Sequence, residues 1–325
     1  MTTNNVLEVE NLKTCFRLRR GIVTAVDGVS FFVRKGECFG IVGESGCGKT
    51  MTGLSIMRLV PKPAAEIVGG KVILEGQDLL ELSEAGMERI RGSKISMILQ
   101  DPLTSLNPMF MIGDQIGECM RLHLRVKGPN LLEKVIGSLK LVQVPAPEIR
   151  VSDYPHQMSG GMRQRVCGAI ALSCHPSLII ADEPTTALDL TIQAQYLRLL
   201  REIQQQYGTA IIFITHDLGI IAKMCERVAV MYAGRIVESG PTRELFSFPR
   251  HCYTRALLSC VPKLEAEQDL LATIEGQPPD LANPPPGCRF APRCVNKKDL
   301  CERSYPPTVM VDEDHSVSCW DYTHE

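Results

Sequence analysis

Two rhythms of apolar residues alternate along this chain. Near the N-terminus, "VLEVENL" and "TAVDGVSFFV" alternate apolar and polar residues in the manner of half-buried strands. "ECFGIV" is a short apolar strand that runs into the glycine-rich "GESGCGKT". "TMTGLSIMRLV" then carries helical spacing until Pro61 and Pro63 stop it. "KVILEG" and "KISMILQ" read as further strands, and residues 110–145 as helical, with apolar residues every three or four positions. "GGMRQRVCGAIALSC" predicts a helix ended by His175 and Pro176. "LIIADE" and "TAIIFITHD" are continuous apolar strands, as in a parallel sheet covered by helices on both faces. Between them, "TIQAQYLRLLREIQQQYG" is a helix with a glycine stop. "RVAVMY" and "GRIVESG" form a hairpin turned at Ala233 and Gly234. The fold class is α/β.

The character changes after about residue 250. "HCYTRALLSCV" is a short helix, and the proline-rich "EGQPPDLANPPPGC" reads as an extended linker. The last forty residues gather Cys288, Cys294, Cys301 and Cys319. No long internal repeat is found, so the chain is a single unit and not two fused copies.

Composition narrows the class. The 325 residues are 44% hydrophobic and 22% charged, ordinary for a globular protein with a real core. A net charge of −2 gives no general affinity for nucleic acid or anionic membrane. "MTTNNVLEVENLK" is no secretory signal, and no run of about eighteen apolar residues would span a bilayer. Of thirteen cysteines, nine are scattered through the first 260 residues, where a reducing compartment makes them small hydrophobes.

Chemistry first becomes specific at Gly43–Thr50, which matches G-x-x-x-x-G-K-[ST] between a strand and a helix. Gly43, Gly46 and Gly48, with Ser45 among them, let successive backbone N–H groups face one anion, and the following helix aims its positive end at the same place. Lys49 reaches the β- and γ-phosphates of ATP, and the Thr50 hydroxyl joins a Mg²⁺ shell. Cys47 is a spacer in this loop. The strand "LIIA" presents Asp182, placed to hold Mg²⁺, and Glu183, placed to polarise the attacking water.

"HQMSGGMRQRV" adds a further landmark, and here the sequence resembles the ATP-binding subunits of ABC transporters. Met158 and Met162 flank Ser159, Gly160 and Gly161 where the family signature has leucine and glutamine. The resemblance covers roughly residues 5 to 250. It implies that Gln100 is the Q-loop glutamine leading into the surface that docks on membrane subunits, Asp189 the D-loop aspartate, and His216 the switch histidine at the γ-phosphate. The family also stacks an aromatic residue on adenine; the rival candidates are Phe16 and Arg20, whose guanidinium plane can stack on a base. The implied fold is a parallel-sheet core with an antiparallel β subdomain and a helical subdomain at about 105–175, together residues 1–250, followed by a small cysteine-rich extension at 251–325. In the family, the Ser-Gly-Gly element of one subunit closes over ATP held by another, so a second ATPase subunit is implied.

The four cysteines of the extension lack a C-x₂₋₄-C zinc knuckle. The segment from "YTRALLSCVP" through "GCRFAPRC" to "SCW" resembles the C-terminal extension of dipeptide and oligopeptide importer ATPases, where a similar quartet can hold a 4Fe-4S cluster. "DPLTSLNPMF" and "YPHQMSGGMRQR" resemble the same subgroup. A cluster is favoured over Zn²⁺, with free thiols as a third reading. Physics supports a metal centre, because a short proline-rich segment buries too little surface to fold unaided. Arg289, Arg293, Lys297 and Lys298 either offset the cluster's negative charge or form a solvated face.

The resemblance implies an ATPase that powers import of di- and oligopeptides from the cytoplasmic face of the membrane. Its implied partners are two transmembrane permease subunits, a second ATPase and, indirectly, an extracytoplasmic binding protein; nucleic acid is not among them. Import of nickel or another small solute, a soluble ABC ATPase without membrane partners, and an iron–sulfur module without hydrolysis stand as alternatives.

Overall fold

Alternating apolar residues bury one face of Asn5–Leu18 and of Gly21–Arg34, and these two strands lie side by side in a four-stranded sheet. Ala65–Leu74 and Gln77–Asp78 complete it, the latter two antiparallel. The computed structural model describes residues 4–19, 21–186, 188–261 and 273–323. They fall into two compact units, one from residues 1–7, 33–37 and 81–213, the other from 8–32, 38–80 and 214–325.

The second unit holds the four-stranded sheet and a set of strands in the order Val309–Asp312, His315–Val317, Arg235–Pro241, Arg227–Tyr232 and Cys38–Val42. Cys38–Val42 and Arg227–Tyr232 are buried along their whole lengths and pair parallel, Phe39 opposite Arg227 and Val42 opposite Val230. The hairpin turns at Ala233 and Gly234, both at positive φ, as its sequence predicts. His315–Val317 then adds to Arg235–Pro241, with Val317 opposite Glu238. The final segment of the chain is therefore woven into a sheet, which no local signal announced.

In the first unit, Ile95–Ile98 and Leu178–Asp182 pair parallel, Ile95 opposite Leu178. Helix Gly160–Leu172 starts at the N-cap Ser159, whose Oγ accepts the Met162 N–H. Arg165 anchors that helix by donating to Val142 O at 2.9 Å and Gln195 Oε1 at 3.2 Å. Helix Leu190–Tyr207 is capped by Asp189, whose Oδ1 accepts from the N–H groups of Thr191 and Ile192, and ends at Gly208 with φ 65°. The helical stretch expected over 110–145 is two helices, Ile112–His123 and Pro129–Leu141. Gly128 and Pro129 divide them: glycine takes φ 62°, and proline suits the first turn of a new helix. Among the described residues, no helix is long and apolar enough to cross a membrane.

Candidate functional site

The glycine loop leaves the buried strand Cys38–Val42 and enters helix Lys49–Ile56. Two of its glycines are demanded by close packing. A Cβ on Gly43 would lie 2.1 Å from Met231 O, and one on Gly48, at φ 107°, 2.3 Å from Ala25 O. The Lys49 ammonium is buried and donates to Gly43 O at 2.7 Å and Glu44 O at 3.0 Å, so it spans the mouth of the loop. Thr50 is exposed at the helix start. Cys47 is buried, its thiol pushed up by burial, which fits a spacer. Gly234 N–H fastens the loop from the hairpin turn by donating to Cys47 O at 2.8 Å. His216, in the same unit, is exposed just beyond the end of strand Ala210–Thr215, and Asp217 beside it caps helix Leu218–Met224.

The other unit carries the carboxylates. Asp182 is buried at the C-terminal tip of Leu178–Asp182. Glu183 follows at φ 44°, a left-handed conformation that costs a non-glycine residue about 1–3 kcal/mol. Its Oε2 accepts from Gln100 Nε2 at 3.2 Å and Thr186 Oγ1 at 2.9 Å. The structure thus joins Gln100 to Glu183, although 83 positions separate them. Ser159 and Gly160 are exposed, and a Cβ on Gly160 would meet nothing within 4 Å. Among the described residues, nothing lies close enough to require glycine there. Downstream of Gln100, Leu103, Met109 and Phe110 are 63%, 78% and 55% exposed. Phe16 is half-buried on its strand; Arg20 lies outside the described residues.

Cys288, Cys294, Cys301 and Cys319 line one small cavity, and a fifth cysteine, Cys252, lines it too, with His251, Phe290 and Trp320. Cys252 had no sequence signal beyond its helix, because only the folded tail brings it there. Cys252 and Cys294 share a hydrogen bond. It pulls the Cys252 thiol down to about 6, helped by Arg255, and pushes Cys294 up. Burial raises Cys288 and pushes Cys319 up to about 11. No three of these sulfurs lie within 4.8 Å of one another; among the described residues the one such group of potential ligands is Glu244, Asp312 and His315. A single zinc with bonds near 2.3 Å would draw its thiolates to about 4 Å apart.

The basic residues of the tail divide in two. Lys297 pairs with Glu302, and Lys298 with Asp321, at the surface. Arg289 is buried and the Arg293 side chain is enclosed: Arg289 bonds Asp27 and Ala233 O, and Arg293 bonds Glu44 of the glycine loop. A solvated face is therefore wrong for these two, because each has a carboxylate partner that lets its charge be buried.

The ABC transporter family model matches residues 26–186, and the model of the oligopeptide/dipeptide transporter C-terminal region matches residues 237–301. The dipeptide transport ATP-binding protein DppD of Bacillus subtilis is 50% identical over 315 residues, covering 97% of this chain and 94% of its own. The oligopeptide transport ATP-binding protein OppD of the same species is 48% identical over 97% of this chain and 88% of its own. Among solved structures, a dimeric ATP-binding cassette in a post-hydrolysis state with ADP and Pi superposes with a TM-score of 0.66 at 25% identity, covering 73% of this chain and 99% of that one.

Proposed function

The chain belongs to the ATP-binding subunits of ABC transporters, and on that premise we propose that it hydrolyses ATP to drive uptake of di- and oligopeptides through a membrane permease. The observation that carries the substrate class is the succession, on one chain, of the ABC transporter match and the oligopeptide/dipeptide transporter C-terminal match. Relatives named for dipeptide and oligopeptide transport, similar along nearly the whole chain, support it. We assign residues 1–250 to the nucleotide-binding domain, with a helical subdomain at about 105–175, and 251–325 to the extension.

In this reading the N–H groups of Gly43–Thr50 cradle the phosphates, and Lys49 exchanges its bonds to Gly43 O and Glu44 O for phosphate oxygens. Thr50 and Asp182 hold Mg²⁺, which supplies charge neutralisation at the transferred phosphoryl group. Glu183 orients and deprotonates the attacking water. His216 bonds the γ-phosphate, Gln100 positions Glu183, and Phe16 or Arg20 stacks on adenine. Ser159, Gly160 and Gly161 close over ATP held by a second ATPase subunit. The exposed Ser159 and the open space at Gly160 support that assignment, as does the dimeric relative. Asp189 lies on the same subunit contact. Leu103, Met109 and Phe110 offer the apolar surface on which two permease subunits seat the protein at the cytoplasmic face of the membrane.

Cys288, Cys294, Cys301 and Cys319 hold a 4Fe-4S cluster, with Zn²⁺ as the rival. The cavity that all four cysteines line supports reading them as one site. Such a centre pins the proline-rich tail by metal–thiolate bonds. Anaerobically purified protein will be brown and contain iron; a colourless, zinc-loaded sample ends the cluster assignment. For transport, the full chain reconstituted with its permease subunits, its partner ATPase and its binding protein in vesicles will take up labelled di- or oligopeptide only with ATP. Uptake of Ni²⁺ and not of peptide would overturn the substrate class.

A further inference from the structure

Glu44, the second residue of the glycine loop, is gripped by the C-terminal tail. Arg293 forks onto its carboxylate, Nη1 donating to Oε2 at 2.8 Å and Nη2 to Oε1 at 3.1 Å. The other donations of that guanidinium go to Tyr232 Oη at 3.2 Å, Ile274 O at 3.2 Å and Glu275 O at 2.9 Å. The Arg293 side chain is only 4% exposed. The Glu44 N–H donates to Tyr253 Oη at 2.9 Å, and Glu44 O accepts from Lys49 Nζ at 3.0 Å and from the Cys47 N–H at 3.3 Å. Every polar group of Glu44 is thus bonded, the N–H and carboxylate to residues far along the chain, the carbonyl to its own loop.

Two physical consequences follow for a loop that binds a triphosphate. Its peptide orientation at Glu44 is fixed from outside the loop, so the N–H groups that follow are set before the anion arrives. The carboxylate, which would repel the anion, is masked by a bidentate cation. Tyr253 stays protonated because burial pushes its hydroxyl well above the usual tyrosine range. It packs on Tyr232 at 4.5 Å between ring centres and on Phe290 at 5.4 Å, and Phe290 lines the cysteine cavity.

We propose that Arg293 and Tyr253 are positioning residues for ATP binding, so that the C-terminal tail forms the outer wall that presets the phosphate loop. The proposal rests on the reading of Gly43–Thr50 as the phosphate site, and its test separates the two. Binding of a fluorescent ATP analogue with Mg²⁺ and steady-state hydrolysis are measured on the full chain, with circular dichroism to verify folding. Arg293→Met weakens nucleotide binding and raises KM by about tenfold, with kcat changed far less. Arg293→Lys recovers part of the loss. Adding Glu44→Gln to Arg293→Met also restores affinity, since it removes the unmasked carboxylate; a tail residue with a merely structural role gives no such rescue. Tyr253→Phe, which keeps the ring packing, weakens binding by about three- to tenfold, and it decides the matter if Arg293→Met does not fold. Lys49→Ala abolishes binding in every background. If Lys49→Ala abolishes binding while Arg293→Met and Tyr253→Phe bind as the parent does, the positioning role is wrong and the phosphate site stands. If Lys49→Ala binds normally, both fall.

Discussion

Gln100 Nε2 donates to Glu183 Oε2, 3.2 Å away, and Thr186 Oγ1 donates to the same oxygen at 2.9 Å. The carboxylate assigned to activate water is therefore steered by two donors on a backbone already forced to φ 44°. The two donors orient one oxygen of that carboxylate, as a general base needs. Glu183→Gln will lower hydrolysis by about 100-fold or more while leaving nucleotide bound. The check is single-turnover hydrolysis alongside retained nucleotide on a desalting column. Unchanged turnover removes Glu183 from the mechanism.

Among the described residues, none lies within 4 Å of the missing Cβ of Gly160, and Ser159 is exposed. Ser159→Arg will leave ATP affinity of the isolated chain intact, yet abolish ATP-dependent pairing and hydrolysis. Light scattering of the Glu183→Gln protein, with and without this second change, reads the pairing directly.

Asp27 gathers Arg235 and Lys13 at 2.7 and 3.2 Å and the buried Arg289. Burial alone would raise its carboxyl, but these cations hold it below the usual range. Asp27→Ala leaves the Arg289 charge in an enclosed site, which costs about 3–5 kcal/mol. Thermal unfolding will show the loss, and adding Arg289→Leu will return part of it because the orphaned charge goes too.

His251 Nδ1 accepts the Tyr253 N–H at 3.0 Å and thereby caps the helix that carries Cys252. Burial pushes its pKa down from 6.5 to about 4. The unfolded chain therefore takes up a proton below pH 6.5 that the folded chain refuses until about pH 4. Stability contributed here is full above pH 6.5, falls as the pH drops toward 4, and totals about 3 kcal/mol. Denaturant unfolding at a series of pH values will show this slope, and His251→Asn, which keeps an acceptor for the cap, will flatten it.

Much of the site was legible because its chemistry is local. Gly43–Thr50 needs a strand before it and a helix after it, and both are written in the adjacent residues. Ser159 and Asp189 sit one residue before helices they cap, again a short-range pattern. The helix break at Gly128–Pro129 is equally local, but the apolar spacing runs across it and masks it. Cys252 and the pairing of Arg293 with Glu44 were illegible for a different reason. They join positions more than 35 and more than 200 residues apart, and no periodicity encodes which distant loop a tail will meet. Arg293 looked like one surface charge among four until the fold supplied its carboxylate.

His315–Val317 covers the outer side of Arg235–Pro241, and Val309–Asp312 pairs in turn with His315–Val317. A ribosome must therefore have passed residue 317 before that hydrogen-bonding margin is shielded. A nascent or prematurely stopped chain ending before residue 309 presents open N–H and C=O groups to any passing extended segment. Loss of residues 309–317 will surface first as insolubility, ahead of any defect in catalysis.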